Sequence, residues 1–402
     1  MPSVQAKQFS RQVPTLLHFL RRETDRLDWP ANETEWQAFA RLCEYHQVTP
    51  FVFCQLKATE NGPPAGLLEY LRRRFYEISA RNYRLAQEAV DLASLLQEQG
   101  IPVLAYKGPA VAMAAYGNLA LRQFQDIDLV IRDRDLSKTM DLLTHRGFDL
   151  APHSCQPDNP KDVSRSHEAT LSAPDKTFFI DLHWRLAPEQ AQAFCPDIEK
   201  MWDRIETIRL PQGNVDTFCR EDLFVALCCH GAVHRWGRLK WLLDVAEILR
   251  DPAGLNWDRI ETMTFECPLA RSAISLAVLL SADLLHAPMP VALPIEVQAA
   301  ERVRVVATAI SAELFTRGHT TGNNHTALLG LEGSIASWID YLWVRYPKWF
   351  FEHAIVRIDA KDRALISLPQ QLDFLYYIIR PIRLVGKHSI RAARLAELST
   401  RR

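Results

Sequence analysis

Two aspartates two residues apart, in Asp126-Ile127-Asp128-Leu129-Val130, carry the clearest chemical potential of this chain. Acid and apolar side chains alternate from Asp126 to Arg132, the pattern of a half-buried strand. Side chains two apart on a strand share a face, so Asp126 and Asp128 project together while Ile127 and Leu129 point the other way. Two such carboxylates form a hard oxygen site suited to Mg2+ or Mn2+, ions that complete their shells with water and phosphate oxygens. A third carboxylate, Asp181, sits in the apolar run Phe178-Phe179-Ile180-Asp181-Leu182. On a strand beside the first it would join the pair. Three carboxylates can hold two metals, one on a triphosphate and one lowering the pKa of an acceptor hydroxyl.

An aspartate pair of this kind also occurs at exposed strand ends and helix caps, so its surroundings matter. Upstream, Lys107-Gly108-Pro109 follows the apolar segment Ile101 to Tyr106 and opens a short helix, Pro109 to Tyr116. Lys107 and the Gly108 turn are candidates for phosphate contact, since helix N-termini attract anions. Arg122, just before the acidic strand, is placed either to contact phosphate or to pair with an acid and orient the loop. His183, two residues after Asp181, shares its face and could order the carboxylate, bond a metal-bound water or move a proton. Trp184 then points into the core.

The elements that position these residues are legible in outline. The first hundred residues carry helical spacing, over Glu35 to Ala58 with an interruption at Pro50, and over Gly66 to Gly100. Ile101 to Tyr106, Asp126 to Arg132 and Gly147 to Leu150 are expected strands, with a helix over Leu136 to Arg146. Pro152 to Ser164 is expected as a loop at the site rim. His167 to Ala173 and Thr177 to His183 are expected as a strand pair turning at Pro174-Asp175-Lys176. Everything after about Cys195 is expected to be helical, most clearly Glu221 to His230 and Leu239 to Arg250. The fold class is therefore α+β: a small mixed sheet core over 100–195, flanked by helical regions over 1–99 and 196–402.

Bulk composition narrows the function. The 402 residues are 48% hydrophobic and 24% charged, with a net charge of −1. Proteins that grip long nucleic acid draw most of their affinity from phosphate neutralisation, so a near-neutral chain argues against that partner. The N-terminus lacks the pattern of a secretory signal, and the apolar stretch Leu269 to Leu285 is broken by Arg271 and Asp283, so no membrane span is expected. Eight scattered cysteines without a CxxC pair fit reduced thiols and a cytoplasmic location. From Arg380 onward, Arg380, Arg383, Lys387, Arg391, Arg394, Arg401 and Arg402 face a single acid, Glu397. This is either a solvated helix and tail or a docking surface for an acidic partner or phosphate.

His230 and His234, four apart and beside Cys229, superficially suggest a metal helix, but no HExxH glutamate accompanies them. A core role or a face toward the cleft is the better reading. A nucleophile elbow, a P-loop and a dinucleotide glycine fingerprint are all absent.

Strand, glycine turn and helix, then the paired aspartates, then a later apolar-flanked aspartate: this order resembles the nucleotidyltransferase superfamily of DNA polymerase β and the aminoglycoside nucleotidyltransferases. More closely, residues 10 to 390 resemble the bacterial family described as uncharacterised nucleotidyltransferase. The likeness is carried by Tyr106-Lys107-Gly108, Arg122, Asp126 to Val130, Ile180 to Trp184, Cys229-His230-Gly231, His234, Trp236, Arg238-Leu239 and Trp241 to Asp244. It implies an NTP substrate, ATP first among them, with Mg2+ or Mn2+ on Asp126, Asp128 and Asp181. It also implies that the helix bearing Arg238, Lys240 and Asp244 packs over the nucleotide, with Lys240 on phosphate, although Lys240 and Asp244 are equally spaced for a plain helix-face pair. One feature departs from the superfamily: its glycine-serine dipeptide is replaced by Lys107-Gly108-Pro109, and Asp126 follows Gly108 at a longer spacing than usual, eighteen positions on. Retention of the fold by a non-catalytic nucleotide-binding scaffold, or use of the same carboxylates to hydrolyse a phosphate ester, are the alternatives to transfer.

Overall fold

The computed structural model describes residues 12–23, 29–30, 32–56, 62–152, 154–290 and 297–315. The basic stretch from Arg380 onward lies outside these residues.

Among the described residues four helices come first: α1 (Val13–Leu20), α2 (Glu33–Tyr45), α3 (Thr49–Gln55) and α4 (Ala65–Glu98). Asn32 caps α2, its side-chain oxygen accepting from the Glu35 amide at 3.0 Å, with Glu33 and Glu35 placed favourably in the first turn. Pro50 does not merely interrupt a helix. It starts α3, where its missing N–H costs nothing. The long helix α4 buries Leu67, Leu71, Ile78, Leu85, Ala89, Leu92 and Leu96 along one stripe.

The sheet is built from β1 (Val103–Ala105), β2 (Asp126–Ile131), β3 (Asp149–Leu150), β4 (Glu168–Ser172) and β5 (Phe179–His183). Its spatial order is β1-β2-β5-β4-β3, with β2 and β5 parallel and every other pairing antiparallel. Three helices interleave: α5 (Gly108–Tyr116), α6 (Leu136–His145) and α7 (Pro160–Arg165). The last of these occupies part of the stretch expected as a loop. Ile127, Leu129, Ile131, Ile180 and Leu182 send their side chains to the buried face, where they meet Leu85, Leu92 and Leu96 of α4. The opposite face is left for the polar residues. Helix on one side and acids on the other follow directly from the two-residue period of β2 and β5.

The chain beyond Cys195 is not wholly helical, contrary to the sequence reading. Strands β6 (Ile205–Leu210) and β7 (Gly213–Phe218) form an antiparallel hairpin before α8 (Arg220–Val233), α9 (Leu239–Arg250), α10 (Trp257–Thr264), α11 (Pro268–Leu285) and α12 (Val297–Leu314). The tight turn between the strands is followed by the alternation Val215, Thr217, which points both side chains inward. Thr217 donates to the Ala105 carbonyl at 2.6 Å, tying this hairpin to the edge strand β1.

Helix α11 is long and apolar enough to cross a membrane by length and composition, but 67% of it is buried inside the fold, against α8 and α9. Burial within the protein accounts for its apolar character. Close packing in this region yields a sharp prediction. A Cβ at Gly231 in α8 would lie 2.3 Å from the ring of Trp236, which is fully buried. Gly231→Ala should therefore cost about 3 kcal/mol, read as a lower urea midpoint; an unchanged midpoint would mean that the Trp236 ring shifts freely.

Candidate active site

Three devices set the acidic strand in place. Asn82, buried within α4, donates to the carbonyls of Leu119 and Arg122, both at 2.7 Å, and so fixes the segment that leads into β2. Arg122 is 4% exposed and grips Asp244 of α9 through two bonds, Nε to Oδ1 and Nη2 to Oδ2, each 2.9 Å. The Tyr116 hydroxyl at the end of α5 donates to the same Oδ1 at 2.7 Å. Of the two roles open to Arg122 from the sequence, pairing with an acid is the one present. Arg122 and Asp244 thus tie the segment before β2 to α9.

Parallel pairing in the register Asp128↔Asp181 sets these two residues side by side on neighbouring strands, with Asp126 two residues earlier on the same face. The antiparallel neighbour β4 adds Thr170 opposite Asp181 and Glu168 opposite His183. The Thr170 hydroxyl donates to Asp181 at 2.7 Å. Glu168, Thr170 and His167 escaped the sequence reading. Their signal was present, since Glu168 and Thr170 are two apart on a strand already expected to pair with Asp181's, but the register that aligns them was not readable.

Asp128 is the most enclosed of the acids. Its Oδ1 accepts from Lys107 Nζ at 2.9 Å and from His183 Nε2 at 3.1 Å. Burial alone would raise its pKa, but Lys107 and then His183 outweigh it and hold the carboxyl below the usual carboxylate range. Burial likewise works against the Lys107 charge, and Asp128 overcomes it. Lys107, expected on a triphosphate, thus stands on the central aspartate. Asp126 and Asp181 go the other way. Burial, then the Asp128 charge, raises both, Asp181 to about 6. Glu168 is held down despite burial by His183 and His167. Burial pushes His167 down to about 4, so its imidazole is neutral at neutral pH.

This donor set fits a hard divalent cation. Its members are carboxylate oxygens on one face, and two of them carry raised pKa values that a cation among them would relieve. At the mouth of the turn, Gly108 adopts φ +45°, and a Cβ there would sit 3.6 Å from the Asp126 carbonyl. Space is available, but the left-handed conformation favours glycine.

The remaining sequence candidates divide. Lys240 donates to the Gln123 carbonyl at 3.4 Å, and burial followed by the like charge of Arg122 brings its ammonium down to about 8. Asp126 and Asp128 counter that shift, which sets Lys240 near the acidic face. Arg238 is turned away from it. Its guanidinium lies over the Tyr45 ring at 4.8 Å and bonds the Tyr45 carbonyl at the end of α2. His230 and His234 stack with ring centroids 4.4 Å apart, beside Trp241 at 5.4 and 5.3 Å. They form an aromatic cluster. Among the described residues, the grouping of metal-ligating side chains falls instead on His167, Glu168 and His183.

The family described as Uncharacterised nucleotidyltransferase matches residues 32–286, more than half of the chain, and the protein belongs to that family. The match is narrower than the span over which the sequence likeness was drawn. Among solved structures, the chain is similar to an antigenic nucleotidyltransferase-like protein from Paracoccidioides brasiliensis, at 16% identity and a TM-score of 0.29. That similarity covers 47% of this chain and 91% of the other. No curated protein matches.

Proposed function

We propose that this protein transfers a nucleoside monophosphate from an NTP, ATP first among them, to a small-molecule, peptide or protein acceptor, releasing pyrophosphate. The observation that carries this reading is the parallel register of β2 and β5, which brings Asp126, Asp128 and Asp181 to one face. Mg2+ or Mn2+ held by these three would neutralise phosphate charge and acidify the acceptor.

The acceptor oxygen attacks the α-phosphorus in line, a new P–O bond forms, and the bond to the β-phosphate breaks. Asp181 takes the acceptor proton. Lys107 keeps Asp128 ionised. The Gly108 turn, the α5 N-terminus and Lys240 lie on the side where phosphate would bind. Near-neutral net charge favours a small or protein acceptor over a polynucleotide.

Incubation of the full chain with Mg2+ and each α-labelled NTP, alone and with candidate acceptors, tests the reaction. Label on an acceptor or on the protein, with stoichiometric pyrophosphate, is the expected result. Nucleotide bound without transfer would replace this reading with a binding scaffold. Inorganic phosphate without a labelled adduct would replace it with a phosphohydrolase.

A further inference from the structure

We propose that His167, Glu168 and His183 form a second cation site, selective for a transition ion such as Zn2+ or Co2+ and separate from the three aspartates. The three ligand atoms lie within 4.8 Å of one another. Glu168 Oε2 is 3.3 Å from His167 Nε2 and 3.2 Å from His183 Nδ1. Two imidazole nitrogens and a carboxylate oxygen are the donors that zinc and its neighbours prefer, whereas Mg2+ takes oxygen.

The second observation is the state of the His183 ring, which is 1% exposed. Its Nε2 faces the ionised Asp128, an acceptor only, so Nε2 carries the proton. Its Nδ1 points instead toward Glu168 on β4. That atom is buried and makes no hydrogen bond, although a carboxylate oxygen stands beside it. An unpartnered, buried ring nitrogen 3.2 Å from a carboxylate oxygen, with a second imidazole nitrogen 3.3 Å from the same oxygen, is an arrangement that a cation can close. A metal ion there, with His167 as third ligand and water completing its shell, satisfies all three groups. The Asp128–His183 bond then acts as the outer support that metal-bound imidazoles commonly have, fixing tautomer and ring orientation. Such an ion joins β4 to β5 and holds His183 against the central aspartate.

This inference does not depend on nucleotide transfer, and its test reads metal binding alone. Full-length protein freed of metal by chelation is titrated with Co2+ by visible absorption, with Zn2+ in competition and Mg2+ in excess. One Co2+ per chain, with the spectrum of an imidazole-bound ion, displaced by Zn2+ and not by Mg2+, is the expected result. His167→Asn and Glu168→Gln, both at partly exposed positions, should each weaken Zn2+ by more than the roughly 10–100-fold typical of losing an outer partner. Asp126→Asn should leave the spectrum in place. Circular dichroism checks that each variant is folded. Co2+ binding lost in Asp126→Asn but kept in Glu168→Gln would overturn the proposal, as would Co2+ and Zn2+ binding no tighter than Mg2+. In the latter case a shared proton, not a metal, fills the gap between His183 and Glu168.

Discussion

Asp181→Asn should abolish transfer and yet raise the melting temperature of the metal-free protein. Asparagine keeps the shape and can still accept from Thr170, which bonds Asp181 at 2.7 Å, but it removes a negative charge from an acidic face. Loss of a group acting as base costs roughly 10²–10⁴-fold in rate. The gain in stability has its own pH signature. Burial and the Asp128 charge raise the folded pKa to about 6, above the 3.8 of the free side chain. Between those values the folded state holds more protons than the unfolded one, so stability falls as pH rises through that window. The advantage of Asp181→Asn should therefore grow from about pH 4 to pH 6 and then level off, at about 3 kcal/mol. Mg2+ should narrow the difference by stabilising the wild type through binding.

Asp128, its neighbour in register, should behave oppositely. Lys107 and His183 hold its folded pKa down, so its contribution to stability is present above the unfolded pKa and fades as pH falls. Asp128→Asn should lower the melting temperature at pH 7. Thermal melts of both variants across pH decide the matter; the same sign of change in both would contradict the assigned electrostatics.

Asp244→Ala is expected to be the most destabilising single change among the polar residues discussed, at about 3–5 kcal/mol. The variant leaves the Arg122 guanidinium in place, buried, without either of its 2.9 Å bonds, and leaves the Tyr116 hydroxyl without its acceptor. Losing one partner of a buried pair costs more than losing both, because the remaining charge keeps its desolvation penalty. The double variant Arg122→Met with Asp244→Leu should accordingly cost less than Asp244→Leu alone, a non-additivity that urea unfolding of the wild type, the two single variants and the double would measure. A single-variant cost below about 1 kcal/mol would show that water reaches Arg122.

The different fates of the basic residues explain why the site was only partly readable beforehand. Lys107, Arg122, Arg238 and Lys240 all belong to segments near the acidic strand, and each is a plausible phosphate ligand by residue type. Sequence does not tell which acid lies closest in space. Arg122 meets Asp244 from 122 residues away, and Arg238 meets the end of α2, 193 residues away. Lys107 bonds Asp128 directly, and Lys240 bonds the Gln123 carbonyl just before the acidic strand. The hairpin Ile205–Phe218 was missed for a related reason: its outer strand is largely exposed, so Ile205 to Leu210 carries little of the apolar alternation that marks a strand.

Local periodicity by itself determined that Asp126 and Asp128 share a face, that Ile180 and Leu182 turn inward while Asp181 does not, and that a helix opens at Gly108. These follow from the two-residue period of a strand and from the backbone freedom of glycine, both short-range properties. Tertiary structure decided the rest. The parallel β2–β5 register brought Asp181 to Asp128, and the antiparallel β4 register brought in Glu168 and Thr170. It also decided that Lys107 sits on an aspartate. Strand register and ion pairing depend on contacts between distant segments, which no window of neighbouring residues encodes.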